Sequence, residues 1–201
     1  MTFVIAFCII IWIYILSVLS RANLSFFKFL IGSVGMFIIM MVTLQGYVTV
    51  PLSRAVAAST GIFGSLTGMF YSYYQYSLIF IQHGAESISL YIDYECSGVI
   101  ELMSFSALLW FFPLYNVIEK LAINITGLLW IFGSNILRLI VICMLVYFFG
   151  NDIFFFAHAI FGRIIFYGLS IMLYFYVFTR PQIIKQKVGK FSYGIHTPEN
   201  I

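Results

Sequence analysis

The chain has 201 residues, 63% of them hydrophobic and only 8% charged, with a formal net charge of +3. Soluble domains average about 45–50% apolar and about 25% charged residues, so this composition, with a mean hydropathy of +1.05, excludes an ordinary soluble fold. It points to a multi-pass cell-membrane protein forming a single integral domain, residues 1–201, and its scattered basic residues argue against nucleic acid as a partner.

The first apolar stretch runs from about Phe3 to Leu19, just long enough to span a bilayer. The N-terminus lacks a basic region and a small-residue cleavage site, so no cleavable signal is expected. Arg21 and Lys28 follow the stretch, which places that loop in the cytoplasm. A second stretch, Phe29 to Val50, is expected to close at Pro51. Residues 51–82 carry Arg54, many small residues and the aromatic run Tyr71-Ser72-Tyr73-Tyr74-Gln75-Tyr76. They are expected to form an interfacial or re-entrant helical segment, part of an extracytoplasmic region over 51–95. Within it, Ser87 to Glu95 alternates polar with apolar residues, which suits a short extended segment.

Ser97 to Tyr115 reads as a third span with Lys120 at its cytoplasmic end. Leu121 to Phe149 is about 29 residues, or roughly 43 Å as helix, longer than the ~30 Å hydrocarbon core. A break near Gly133-Ser134-Asn135 is therefore expected. Gly150-Asn151-Asp152 is an outer turn, and Phe154 to Phe178 is the last span. Arg180, Lys185, Lys187 and Lys190 make residues 180–201 a basic cytoplasmic tail. Seven of the ten basic residues fall in predicted inside loops, as orientation by positive charge requires. The fold class is all-α: a polytopic helix bundle of about five to seven transmembrane helices, with no internal repeat.

Three polar side chains in separate apolar stretches fall near one face of this topology: Cys96, Arg138 and His158. Ionisable groups in membrane spans are costly and mark function by default. A thiol, a permanent cation and an imidazole are the parts of a cysteine acyl-transfer site. Cys96 is expected at a helix N-terminus, where unpaired amides would lower its pKa, with Ser97 and Gly98 leaving room for a substrate backbone. Arg138 would hold an oxyanion, and His158 would carry a proton. On each residue alone the plain alternatives stand: an inert interfacial cysteine, an arginine paired to Asp152 or Glu95, an interfacial histidine. Cys8 and Cys143 read as core or lipid-facing, and His83 and His196 take no role. No residue cluster suggests a metal, and no cofactor is expected. Glu101 lies five residues below Cys96 and Arg163 five below His158, so the two are expected to pair about 7.5 Å deeper. Arg163 is alternatively a second substrate-binding cation.

Over roughly residues 85–180 these segments resemble the exosortase/archaeosortase family of membrane transpeptidase-like enzymes. The resemblance rests on Cys96-Ser97-Gly98, then Asn135-Ile136-Leu137-Arg138, then His158 before the last span. The Glu95-Cys96-Ser97-Gly98 form is most similar to the Gram-positive exosortase G branch. The resemblance implies a cysteine transpeptidase or peptidase that cleaves, and transfers, the C-terminal sorting segment of exported proteins at the extracytoplasmic face. Cys96 would be nucleophile, with Arg138 and His158 its helpers. Implied partners are an exported protein with a C-terminal hydrophobic anchor, membrane lipid, and glycosyltransferase or surface-polymer machinery. The Tyr-rich run over 70–76 is a candidate lid. Two other readings stand beside this one. One is a transporter or export subunit for an anionic surface polymer, with Arg138 and Arg163 on its path; against it, the chain is short and lacks inverted repeats. The other is a non-catalytic partner of a glycosyltransferase.

Overall fold

The computed structural model describes residues 2–83 and 86–183. The chain is a predominantly helical membrane protein. Its helices are α1 (Thr2–Arg21), α2 (Ser25–Thr67), α3 (Val99–Phe111), α4 (Val117–Phe149) and α5 (Asn151–Ile183). Three of them, α2, α4 and α5, are long and apolar enough to cross a membrane; α1 and α3 are shorter apolar helices.

Two expected breaks are absent. Pro51 does not end the second helix, which runs on to Thr67. An interior proline costs about 3 kcal/mol, but packing offsets it: Val56, Ala57 and Thr60 beyond it are fully buried. The helix ends at Gly68, whose left-handed φ of 70° lets its amide reach the Gly64 carbonyl, the usual glycine C-terminal stop. Likewise α4 passes through Gly133-Ser134-Asn135 unbroken. The Ser134 hydroxyl bonds back to the Trp130 carbonyl, and a capping box at Asn116 and Glu119 starts the helix. At 33 residues it is one continuous helix about 50 Å long, longer than a ~30 Å hydrocarbon core.

The expected interfacial or re-entrant helical segment over 51–82 is corrected as well. Residues 51–67 continue α2. The chain then forms a three-stranded antiparallel sheet, β1 (Phe70–Tyr73), β2 (Leu78–His83) and β3 (Glu86–Tyr91), in the order β1-β2-β3. The register pairs Ile79 with Leu90 and Ile81 with Ile88. One face thus carries Phe70, Ile79, Ile81 and Leu90, all buried, while tyrosines 71, 73 and 91 face outward. Period-two alternation satisfies a sheet with one packed face, and aromatic and β-branched residues favour it over helix. Small residues on α2 let this sheet sit close. Gly61 faces Ser72 and Gly64 faces Phe70 where a Cβ would collide. The Ser72 hydroxyl donates to the Ala57 carbonyl, and the Ser53 and Ser77 hydroxyls bond at 2.8 Å.

The sheet, the C-terminal parts of α2 and α4 and the start of α5 enclose one apolar cluster that includes Cys96, Leu139, Ile142, Cys143 and Ala157. A second joins α3, α4 and α5 through Phe105, Leu109, Ile131, Phe166 and Leu173. α5 is not uniform: it opens with a 3-10 turn over Asn151–Ile153 and contains π-helical stretches at Ala157–Phe161 and Phe175–Thr179. Lys185, Lys187, Lys190 and His196 lie outside the described residues.

Candidate active site

Cys96 lies in the turn that joins the sheet to α3. The Ile92 amide still bonds to Ser77 across the sheet, then the chain folds back: the Ser97 amide donates to the Asp93 carbonyl at 2.9 Å. The Cys96 amide donates to Asp93 Oδ1 at 3.0 Å, and the Ser97 hydroxyl to the Tyr94 carbonyl at 3.0 Å. Gly98 closes the turn with φ +82° and caps α3, a conformation that side-chain-bearing residues rarely adopt. Cys96 therefore precedes the helix by a tight turn and is not its first residue.

The partners come from α4 and α5. The buried stripe of α4 is Gly127, Ile131, Ser134, Asn135, Arg138, Leu139, Ile142, Cys143 and Val146, a three-four spacing that puts Asn135 and Arg138 on one face. Asn135, fully buried, donates from Nδ2 to the Cys96 carbonyl at 2.8 Å. Arg138, 5% exposed, brings Nη2 to 3.9 Å from Cys96 Sγ, and its guanidinium lies over the Phe166 ring at 5.8 Å. His158 sits in the first π-helical stretch with Nε2 3.6 Å from the same sulfur. Its ring stacks on Phe154, nearly parallel at 5.9 Å between centroids. π-turns interrupt α-helices most often at functional sites, and here one carries the imidazole.

Cys96, Arg138 and His158, predicted from separate stretches, thus meet at one sulfur, which Asn135 steadies through the backbone. The rest differs from expectation. Cys96 is only 6% exposed, and burial pushes its thiol up to about 11, with Asp93 and Glu95 adding to the rise and Arg138 opposing it. The expected depressed thiol is overturned because desolvation outweighs the lowering by Arg138. Ser97 and Gly98 do not open space for a substrate: Ser97 is 1% exposed, and Gly98 abuts Asn135. They build the turn. Glu101 and Arg163 do not pair. The Glu101 Oε2 atom is buried without a hydrogen-bond partner, the cation whose charge reaches it is Arg138, and Arg163 is exposed. The depth arithmetic assumed α-geometry, and the π-helical stretch between His158 and Arg163 shifts the helical phase. Tyr71, Tyr73 and Tyr76 line an aromatic cavity with Leu78 and Phe80 that includes none of the three site residues.

Sequence reasoning missed Asp93, Phe154 and Phe166. Asp93-Tyr94-Glu95-Cys96 ahead of a helix is a side-chain-to-backbone turn pattern, and Phe154 lies four residues before His158, on the same helical face; both signals were available. Phe166 gave none.

A thiol touching an imidazole and a permanent cation can form a thioester, provided the imidazole takes the proton and the cation faces the oxyanion. A family model described as Transmembrane exosortase (Exosortase_EpsH) matches residues 1–176. The chain belongs to that family. Membership gives the general role, protein sorting in the membrane by a transpeptidase-type activity of the cysteine-peptidase kind. No curated protein and no solved structure matches the chain.

Proposed function

We propose that this chain is a membrane-embedded cysteine transpeptidase or peptidase that cleaves, and transfers, the C-terminal sorting segment of exported proteins at the extracytoplasmic face. The observation that carries the reading is the convergence on one sulfur: His158 Nε2 at 3.6 Å and Arg138 Nη2 at 3.9 Å from Cys96 Sγ.

In this reading the Cys96 proton passes to His158 Nε2 as the sulfur attacks the scissile carbonyl carbon. The oxyanion develops beside the Arg138 guanidinium. Collapse breaks the C–N bond, and His158 returns the proton to the leaving amine. The thioester then passes its acyl group to an acceptor amine, hydroxyl or water, whose proton His158 takes. A thiol of raised pKa suits this order: attack is coupled to proton transfer and does not start from a standing thiolate. A substrate held by its own hydrophobic anchor arrives already confined to the plane of the bilayer, which supplies proximity without a deep cleft.

The Glu95-Cys96-Ser97-Gly98 form favours the exosortase G branch, with surface-polymer or glycosyltransferase machinery and membrane lipid as neighbours. The basic residues Arg21, Lys28, Lys120 and Arg180 favour a multi-pass arrangement with the site outside. Asn135, Ser97 and Gly98 are assigned to support of the thiol turn, Glu101 to the electrostatic surroundings of Arg138. Arg163, exposed beside the site, remains available to an anionic part of the substrate.

The test compares the C-termini of exported proteins in cells carrying the wild-type chain or Cys96→Ala. Uncleaved C-terminal anchors should accumulate in the variant on a defined set of proteins. Identical C-termini in both strains, with the variant present in the membrane at normal level, would overturn the reading.

A further inference from the structure

Asp93 makes three separate connections to the site. Its Oδ1 receives the Cys96 amide at 3.0 Å, and its carbonyl receives the Ser97 amide at 2.9 Å. Its charge also reaches both reacting groups, the thiol and the imidazole. A carboxylate used only to close a turn is replaceable by any short acceptor. One that also stands beside a nucleophilic sulfur affects where that sulfur's proton rests.

We propose that Asp93 is a positioning residue of the acyl-transfer site: its carboxylate ties the Cys96 backbone into the turn and sets a negative charge beside the reacting residue that counters the Arg138 guanidinium. The charges that reach Cys96 are Arg138 on α4 and Asp93 and Glu95 on its own turn, with the His158 ring on α5 in contact. Those that reach His158 are Arg138, Arg163 and Asp93. Asp93 is therefore the acidic group common to both sets. It opposes Arg138 at the sulfur and adds to the larger effect of burial in favour of the thiol. Once the proton has moved to the imidazole, the same carboxylate and the imidazolium carry opposite charges and attract each other. The His158 Nδ1 atom is buried with no hydrogen-bond partner, so no direct acceptor on that nitrogen competes for this role.

This inference rests on Cys96 as the reacting thiol, but its test needs no substrate. The full chain in membranes is alkylated with iodoacetamide across pH 7–11, and labelling of the Cys96 peptide is read by mass. Asp93→Asn keeps the oxygen that receives the Cys96 amide and removes the charge. A like charge at close range moves a pKa by about one unit or more, so the midpoint for Cys96 should fall by about one pH unit. Labelling at pH 8 should then rise roughly tenfold. Asp93→Ser, which also retains a turn acceptor, should do the same and carries the test if the asparagine variant does not accumulate. A midpoint that stays in place in a folded Asn or Ser variant overturns the proposal and leaves Asp93 a turn residue only. Normal C-terminal processing in Cys96→Ala cells would sink the proposed function and leave the alkylation result standing, so the two failures are distinguishable.

Discussion

Arg138→Gln removes the cation that, among the described residues, opposes burial at the Cys96 sulfur. At 3.9 Å and an effective dielectric of about 20, two unit charges interact by about 4 kcal/mol. Spreading the positive charge over the guanidinium reduces this to about 3 kcal/mol, equivalent to about two pH units. The thiol, already pushed up to about 11, should then ionise near the limit of measurement. The assay is iodoacetamide labelling of the Cys96 peptide in membranes at pH 9, where only a small thiolate fraction reacts. Cys143 is fully buried, and exposed Cys8 is separated by peptide mass. Labelling should fall about 100-fold in Arg138→Gln and much less in Arg138→Lys, which keeps the charge and loses the fork. A fall of less than about threefold in a folded glutamine variant would refute the claim that this guanidinium supports negative charge on the sulfur.

Asn135→Leu strands the buried Cys96 carbonyl and should lower stability by about 1–3 kcal/mol, read as a reduced thermal midpoint in detergent; an unchanged midpoint would mean that the turn holds without it. Burial favours the neutral Cys96 thiol in the folded chain, raising it from 9.0 to about 11. That stabilisation should be complete below about pH 9 and lost between pH 9 and about 11, so the wild type should lose its margin over Cys96→Ala across that interval in a denaturation series. Tyr91, 62% exposed on β3, and Val117, 70% exposed at the start of α4, probe the two faces. In a Cys8→Ser background, Tyr91→Cys should react with a membrane-impermeant maleimide on intact cells and Val117→Cys only after lysis; the reverse pattern would invert the topology.

The polar points of the site were legible in the sequence because a membrane span makes each ionisable residue conspicuous. Cys96, Arg138 and His158 stand out against apolar runs. The Ser-Ile-Ser-Leu alternation before Cys96 read correctly as extended chain, since period two survives in any surroundings. What failed was whatever tertiary packing decides. Pro51 and Gly133-Ser134-Asn135 are local breakers, and buried faces on α2 and α4 overrode them. Strands β1 and β2 lie in the segment expected to be an interfacial or re-entrant helix, because the strand signal is shared between segments that pair. The thiol's direction was misjudged because burial of Cys96 depends on α4 and α5 closing over it. The Glu101–Arg163 pairing failed on a π-helical stretch that residue counting does not reveal.

The central claim is that Cys96 becomes acylated by a protein substrate. Purifying the wild-type chain from its own membranes under acid conditions, then sequencing whatever is bound to the Cys96 peptide, tests it directly. The account predicts a thioester-linked peptide whose new carboxyl end derives from an exported protein just before a hydrophobic anchor, released by hydroxylamine and missing from Cys96→Ala. A bare thiol in every preparation, while the anchors of the same proteins are still removed in cells, would contradict it.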